Sequence, residues 1–180
     1  MRSPNNDGFD QGRPLPRFFA DAMLGRLARW LRVLGYDTAY HAHIADADLV
    51  RQAQQEERCI LTRDRALPRE WQLDRYLLVE AQTPLSQLRE VVQRFSLPWQ
   101  DHLFSRCMVC NAPLQSVSPQ EIAGAVPPYV LQHQQHFVRC PTCARVYWEG
   151  SHVVRMRCQL TRLFGGEAIS SVQEERKDRG

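Results

Sequence analysis

Residues 17–41 read RFFADAMLGRLARWLRVLGYDTAYH, and this stretch decides the fold. Arg17 to Asp21 is short and apolar, the pattern of a buried strand. Leu24, Leu27, Ala28, Leu31 and Leu34 then follow helical spacing, which gathers apolar side chains on one face. Gly35 ends that run. Asp37 to His41 reads as a second strand. Strand, helix and strand in succession form one crossover unit.

The same alternation continues outward. A helix is expected from Asp46 to Glu57, with Leu49, Val50 and Ala53 facing inward. Arg58 to Thr62 (RCILT) and Tyr76 to Val79 (YLLV) read as the third and fourth strands. Thr83 to Phe95 is a further helix, with Leu85, Leu88, Val91, Val92 and Phe95 apolar. Alternating strands and helices predict an α/β fold, a parallel sheet covered on both faces.

Pro98 marks a boundary, beyond which Cys, Pro, Gln and His rise. Phe137 to Arg139 and Val146 to Glu149 are β-like, and Ser151 is placed to cap a last helix reaching Phe164. Gly165 and Gly166 stop it. The expected organisation is a disordered lead-in over 1–16, an α/β domain over 17–98, a zinc-ribbon module over 104–150, a helix over 151–164 and a disordered tail over 165–180.

With 180 residues, 43% of them hydrophobic, the chain can build one core and a small satellite. No run approaches a membrane span, and Met1 to Pro16 lacks the apolar stretch of a signal peptide. These features point to the cytoplasm. A net charge of +3 does not by itself announce a nucleic-acid partner. Lys177 is the only lysine; all other basic side chains in the Lys/Arg class are arginine, which suits phosphate recognition but equally suits a GC-rich genome.

Of six cysteines, four form two CxxC pairs, Cys107-Met-Val-Cys110 and Cys140-Pro-Thr-Cys143. Each pair supplies two thiolates from one tight knuckle, and two knuckles complete a tetrahedral zinc site. Asn111 and Ala144, directly after each second cysteine, suit the turn. A redox CxxC needs one reactive pair at a strand-to-helix turn, and the β-like flanks here fit a zinc ribbon better. With four thiolates available, neither His133 nor His136 is required. Four protein ligands leave no open position, so this zinc is expected to be structural. Cys59 and Cys158 read as buried thiols.

Chemistry is therefore sought among the carboxylates. In an open α/β sheet, ligands gather outside the carboxyl ends of the strands. Asp21 ends the first strand, Asp64 follows the third in Thr62-Arg63-Asp64-Arg65, and Asp46 opens the helix after the second. Acids converging there would repel one another unless a hard cation such as Mg²⁺ or Mn²⁺ sat between them. Such an ion could activate water and stabilise the leaving oxygen of a phosphodiester. Plainer roles also fit: Asp21 and Asp46 as helix N-caps, Asp48 as a first-turn acid and Asp64 as a turn carboxylate.

Arg26, Arg29 and Arg32 recur along what reads as the exposed side of the first helix, and Arg155, Arg157 and Arg162 make the last helix basic. Either set could hold an RNA backbone, or simply form a solvated helix face.

The segments FFADAMLGRLARWLRVLGYDT, DADLVRQAQQEERCILTRDRAL, RCMVCNAPL and RCPTCARVYWEGSH, in this order, resemble the mut-7 C-terminal RNase domain family. The likeness runs from about Arg17 to Met156. It implies a PIN-like three-layer nuclease fold followed by a zinc ribbon, and a metal-dependent endoribonuclease acting on RNA. By that likeness Asp21 matches the first-strand acid, Asp46 the acid before the middle helix, with Asp48 beside it, and Asp64 the acid of a Thr-x-Asp motif. Together they would bind Mg²⁺ or Mn²⁺. Such nucleases often carry a further aspartate two residues after that motif, where this chain has Ala66. Asp37 is the one acid between Asp21 and Asp46 and begins a strand at the opposite edge. The alternative reading keeps fold and zinc without catalysis, as an RNA- or protein-binding module.

Overall fold

The computed structural model describes residues 14–165. Residues 1–13 and 166–180, which carry most of the expected lead-in and tail, lie outside the described residues. Four strands, β1 (Phe18–Ala20), β2 (Thr38–Tyr40), β3 (Cys59–Thr62) and β4 (Tyr76–Leu78), pair in parallel. Their order is β2-β1-β3-β4. Between them run α1 (Gly25–Val33), α2 (Asp46–Gln55) and the single turn α3 (Leu67–Glu70), and α4 (Pro84–Arg94) follows β4. The parallel α/β sheet flanked by helices is thus as the alternation predicts.

Phe18 and Phe19 show how the layers form. Adjacent strand residues point to opposite faces of a sheet. The Phe18 ring meets Phe95 and Tyr36 edge-on, at centroid distances of 5.2 and 6.1 Å. Phe19 instead packs with Leu49, Val50 and Ala53 of α2, Ile60 of β3 and Leu67 of α3. Both phenylalanines are fully buried, each contributing roughly 1.5–3 kcal/mol. The apolar faces of α1 and α4 are buried through Leu27, Ala28 and Leu31 and through Leu88, Val91 and Val92. Helix α3 has no counterpart among the elements expected from sequence, because four residues are too few to show a period.

The helix ends explain the element boundaries. After α1, Tyr36 N–H reaches Leu31 O at 2.9 Å and Gly35 N–H reaches Arg32 O at 3.0 Å, with Gly35 at φ +91°. This is the paired closure that favours glycine in the left-handed position. After α2, Arg58 N–H bonds to Ala53 O at 2.8 Å in the same way, but Glu57 takes the left-handed position at φ 52°. Helix α4 begins at Pro84, and Thr83 and Ser86 exchange side-chain and backbone hydrogen bonds in a capping box.

The chain divides into two compact units. Arg139–Arg145 belongs with the segment that ends at Gln115, and Ser116–Val138 belongs with the chain from Val146 onward. Both cysteine knuckles therefore lie in the first unit, with the four-stranded sheet. The second unit is built on α5 (Pro128–His133), β7 (Val146–Trp148), α6 (Ser151–Phe164) and all but one terminal residue each of β5 (Gln115–Val117) and β6 (Phe137–Arg139). The three strands lie in the order β5-β6-β7. Ile122, Val126 and Phe137 form the unit's small core, with Val117, Val130, Leu131, Val146 and Trp148 packed around it. Two expectations need correcting here. Gly150, not Ser151, occupies the cap position of α6, and Cys158 is exposed because it falls off the Met156 and Leu160 face that α6 buries.

At the amino-terminal edge of the four-stranded sheet, a partly buried charge cluster centres on Asp37. Its Oδ1 accepts hydrogen bonds from Arg58 Nη1 at 2.6 Å and Asn111 Nδ2 at 2.7 Å. Its Oδ2 pairs with Arg17 Nε at 3.3 Å and Arg106 Nη2 at 3.7 Å. Burial pushes the Asp37 carboxyl up, yet the hydrogen bonds from Arg58 and Asn111 and the charges of Arg58 and Arg106 outweigh it. The folded carboxyl is therefore held below its ordinary value. Its stabilisation is complete above the unfolded value of about 3.9 and is lost as pH falls from there through the lower folded value. Asp37→Asn keeps an acceptor but gives up the charge, so a loss of about 1–2 kcal/mol is expected at pH 7. Urea titrations from pH 7 down to pH 2 should show the gap between wild type and variant closing below about pH 4.

Candidate functional site

The sheet order makes the chain leave β1 for its neighbour β2 on one side and return to β3 on the other. A crevice opens outside the carboxyl ends of strands where the connections diverge in this way. Asp21 follows β1 directly and Asp64 follows β3 by two residues. Asp21 N–H donates to Leu61 O at 2.9 Å, so the ladder between β1 and β3 extends to the acid itself.

Thr62 joins the two acids. Its hydroxyl donates to Asp21 Oδ2 at 2.7 Å and accepts from the Asp64 backbone N–H at 3.0 Å. Thr62 is fully buried, so this hydroxyl is a fixed post rather than a rotor. Sequence reading missed its role, although the Thr-x-Asp spacing was the available signal. Asp64 is exposed, and its Oδ1 accepts from Ala66 N–H at 2.7 Å in an Asx turn. The turn reading of Asp64 is thus present in the structure alongside its place at the strand end.

Asp21 sits at the cap position of a short 3-10 turn (Ala22–Leu24) but makes no side-chain capping bond. Asp46, by contrast, is not an N-cap: Ala45 holds that position, and Asp46 is the exposed first residue of α2. Asp48 is occupied by Arg51, with Arg51 Nη2 at 2.6 Å from its Oδ1. Among the described residues, the one group of three or more metal-ligating side chains with ligand atoms all within 4.8 Å is Cys107, Cys110, Cys140 and Cys143. Asp21, Asp46 and Asp64 do not make a second such group.

The cysteine site is assembled from two turns. Asn111 N–H bonds to Cys107 O and Ala144 N–H to Cys140 O, both at 3.0 Å, and Asn111 and Ala144 take left-handed φ values of 70° and 58°. Each knuckle closes as the residue after its second cysteine turns back. Cys107 Sγ lies 3.6 Å from Cys143 Sγ, and Cys110 Sγ lies 3.3 Å from Cys140 Sγ. A tetrahedron with Zn–S arms of about 2.3 Å has edges of about 3.8 Å. All four thiols are free of disulfides, and Cys107 and Cys140 are buried. The donor set and spacing therefore fit a zinc ion.

Arg26 and Arg29 are exposed on α1, and Arg155 and Arg157 are exposed on α6 of the second unit. Arg157 Nε approaches Glu149 Oε1 at 3.4 Å. Arg32 does not continue the exposed arginine row. It is only 5% exposed, with Nε donating to Thr38 O at 2.9 Å and Nη1 to Val109 O at 2.7 Å. Helical phase puts it on the side of α1 that faces β2, and its acceptor Val109 O lies too far away in sequence to be foreseen.

No helix among the described residues is long and apolar enough to cross a membrane. Comparison with curated proteins finds no match, and comparison with solved structures finds none. The model of the Mut7-C RNAse domain matches residues 16–160, a span that takes in the sheet, Asp21, Asp46, Asp64 and all four zinc-type cysteines. With most of its length matched, the chain belongs to the Mut7-C RNAse domain family, which ties it to RNA-related nuclease function.

Proposed function

We propose that the chain is a metal-dependent endoribonuclease in which Asp21, Asp46 and Asp64 supply the ligands for Mg²⁺ or Mn²⁺. The observation that carries this reading is the Thr62 hydroxyl held between the Asp21 carboxylate and the Asp64 backbone, at the ends of adjacent parallel strands. Carboxylate oxygens are the donors that hard divalent ions take. A bound ion would supply charge neutralisation and an activated water for phosphodiester hydrolysis. Thr62 keeps Asp21 oriented, and the exposed Arg26 and Arg29 offer guanidinium groups to phosphates. Arg155 and Arg157 offer the same on the second unit. The four cysteines hold a structural zinc ion that takes no part in bond cleavage.

A second reading, a non-catalytic RNA- or protein-binding module of the same fold, is favoured by two observations. Asp64 already spends Oδ1 on its own turn, and the three aspartates do not close into a ligand group among the described residues. Incubating the full chain with labelled RNA and with DNA of equal sequence, each with and without Mn²⁺, separates the two. Mn²⁺-dependent fragments from RNA support the nuclease. RNA retained on the protein but uncut at every metal concentration supports the binding module instead.

A further inference from the structure

The strand β2 lies at an open edge of the parallel sheet, and an open edge exposes N–H and C=O groups to pairing by another chain. In a parallel strand, alternate residues aim their backbone groups to opposite sides. Asp37 O accepts Phe18 N–H at 2.8 Å, toward β1, so Thr38 aims its groups outward. Both of those groups are taken. Thr38 N–H donates to Asn111 Oδ1 at 3.0 Å, and Thr38 O accepts from Arg32 Nε at 2.9 Å. Thr38, the first residue of β2, is 0% exposed, which is unusual for a residue whose backbone faces outward from an edge strand.

The same two capping side chains hold the first cysteine knuckle. Asn111 directly follows Cys110, and its left-handed φ of 70° closes the knuckle onto Cys107 O. Its Nδ2 is anchored on Asp37 Oδ1 at 2.7 Å. Arg32 Nη1 donates to Val109 O at 2.7 Å and Met108 O at 3.3 Å, the two residues between the cysteines. One planar guanidinium thus spans the sheet edge and the knuckle.

We propose that the first cysteine knuckle is the cap of the sheet edge at β2, and that zinc binding and protection of that edge are linked through Arg32 and Asn111. The inference rests on the reading that the four thiolates hold zinc and adds a coupling to it. The ion pins the knuckle's turn, and the pinned turn presents Asn111 Oδ1 and the carbonyls of Met108 and Val109 at the positions the edge requires. Removing the ion releases the turn, and the Thr38 N–H loses its acceptor. Linkage is reciprocal: groups that hold the knuckle against the sheet tighten zinc binding without being ligands. Arg32 also brings a buried positive charge to a site whose four thiolates carry two more negative charges than the ion cancels.

The test uses the full chain under a phosphine reductant, with amide exchange followed at Thr38 and at Ile60, whose N–H bonds to Arg75 O on the β4 side. Chelation of zinc is expected to speed Thr38 exchange at least tenfold while Ile60 changes little. Asn111→Gly accepts the left-handed φ and leaves every cysteine in place, and Arg32→Gln removes the guanidinium. Each is expected to lower zinc affinity about tenfold in competition with a chromophoric chelator. Unchanged Thr38 protection after chelation overturns the linkage. Should chelation unfold the whole chain, the Asn111→Gly affinity decides, and a wild-type value overturns it. A chain that binds no zinc at all removes the zinc reading and the linkage together, whereas zinc bound equally by wild type and both variants removes the linkage alone.

Discussion

Asp21→Asn is expected to lower Mn²⁺-dependent RNA cleavage about 10³-fold while leaving the fold in place. A metal acting on a phosphodiester supplies several kcal/mol of transition-state stabilisation, and each 1.36 kcal/mol is a factor of about ten. Asparagine matches aspartate in size and keeps an oxygen that can accept from Thr62 Oγ1, the 2.7 Å bond that orients the side chain. What it lacks is the charge that draws a hard cation. The variant should therefore melt within a few degrees of wild type and bind RNA with similar affinity, while turnover falls. Thr62→Val gives the intermediate case, since the acid remains but its buried support and the Asp64 N–H partner are lost. Cleavage by Asp21→Asn within threefold of wild type would remove Asp21 from the proposed site.

Gly35→Ala is expected to destabilise the chain by about 3 kcal/mol or more, for two additive reasons. At φ +91° a Cβ costs about 1–2 kcal/mol in local sterics alone. The added carbon would also collide with the His102 carbonyl oxygen and lie 2.7 Å from Ser105 Oγ. The first of these obstacles is backbone, and it is tied down. Phe104 N–H bonds to Val33 O at 2.8 Å, and Arg106 Nε donates to Gly35 O at 3.2 Å. Relief therefore requires the segment leading into the first cysteine knuckle to move away from the end of α1. At about 2–4 °C per kcal/mol for a chain of this size, the melting temperature should fall by about 6–12 °C. A fall of under 2 °C would mean that the segment from His102 to Arg106 yields without cost.

Much of the first unit was legible in residues 17–95. The strands and long helices there are amphipathic or wholly apolar, and their periods survive in the sequence because each buries one definite face. The exceptions have local causes. Helix α3 is too short to display a period, and the end of α2 hides behind Glu57, a residue that does not advertise a left-handed turn. The cysteine cluster was legible for another reason. Two thiolates from one CxxC turn leave few alternatives to a shared metal, and the turn-closing residues Asn111 and Ala144 do take positive φ.

By sequence alone, the spacing of the two cysteine knuckles points to a set of four thiols that could hold a metal ion, and the alternation of residues 17–95 determines a parallel α/β sheet. Both follow from local chemistry: the period of apolar side chains, and the spacing of soft ligands along a turn. Tertiary structure alone decided that Arg32 is buried rather than part of an exposed basic row, that Thr62 joins Asp21 to Asp64, and that Asn111 closes the edge of β2. Each of these depends on partners tens of residues apart. A hydrogen bond across 73 residues, such as Thr38 to Asn111, leaves no period in the chain, because its acceptor is chosen by where the folded backbone brings it.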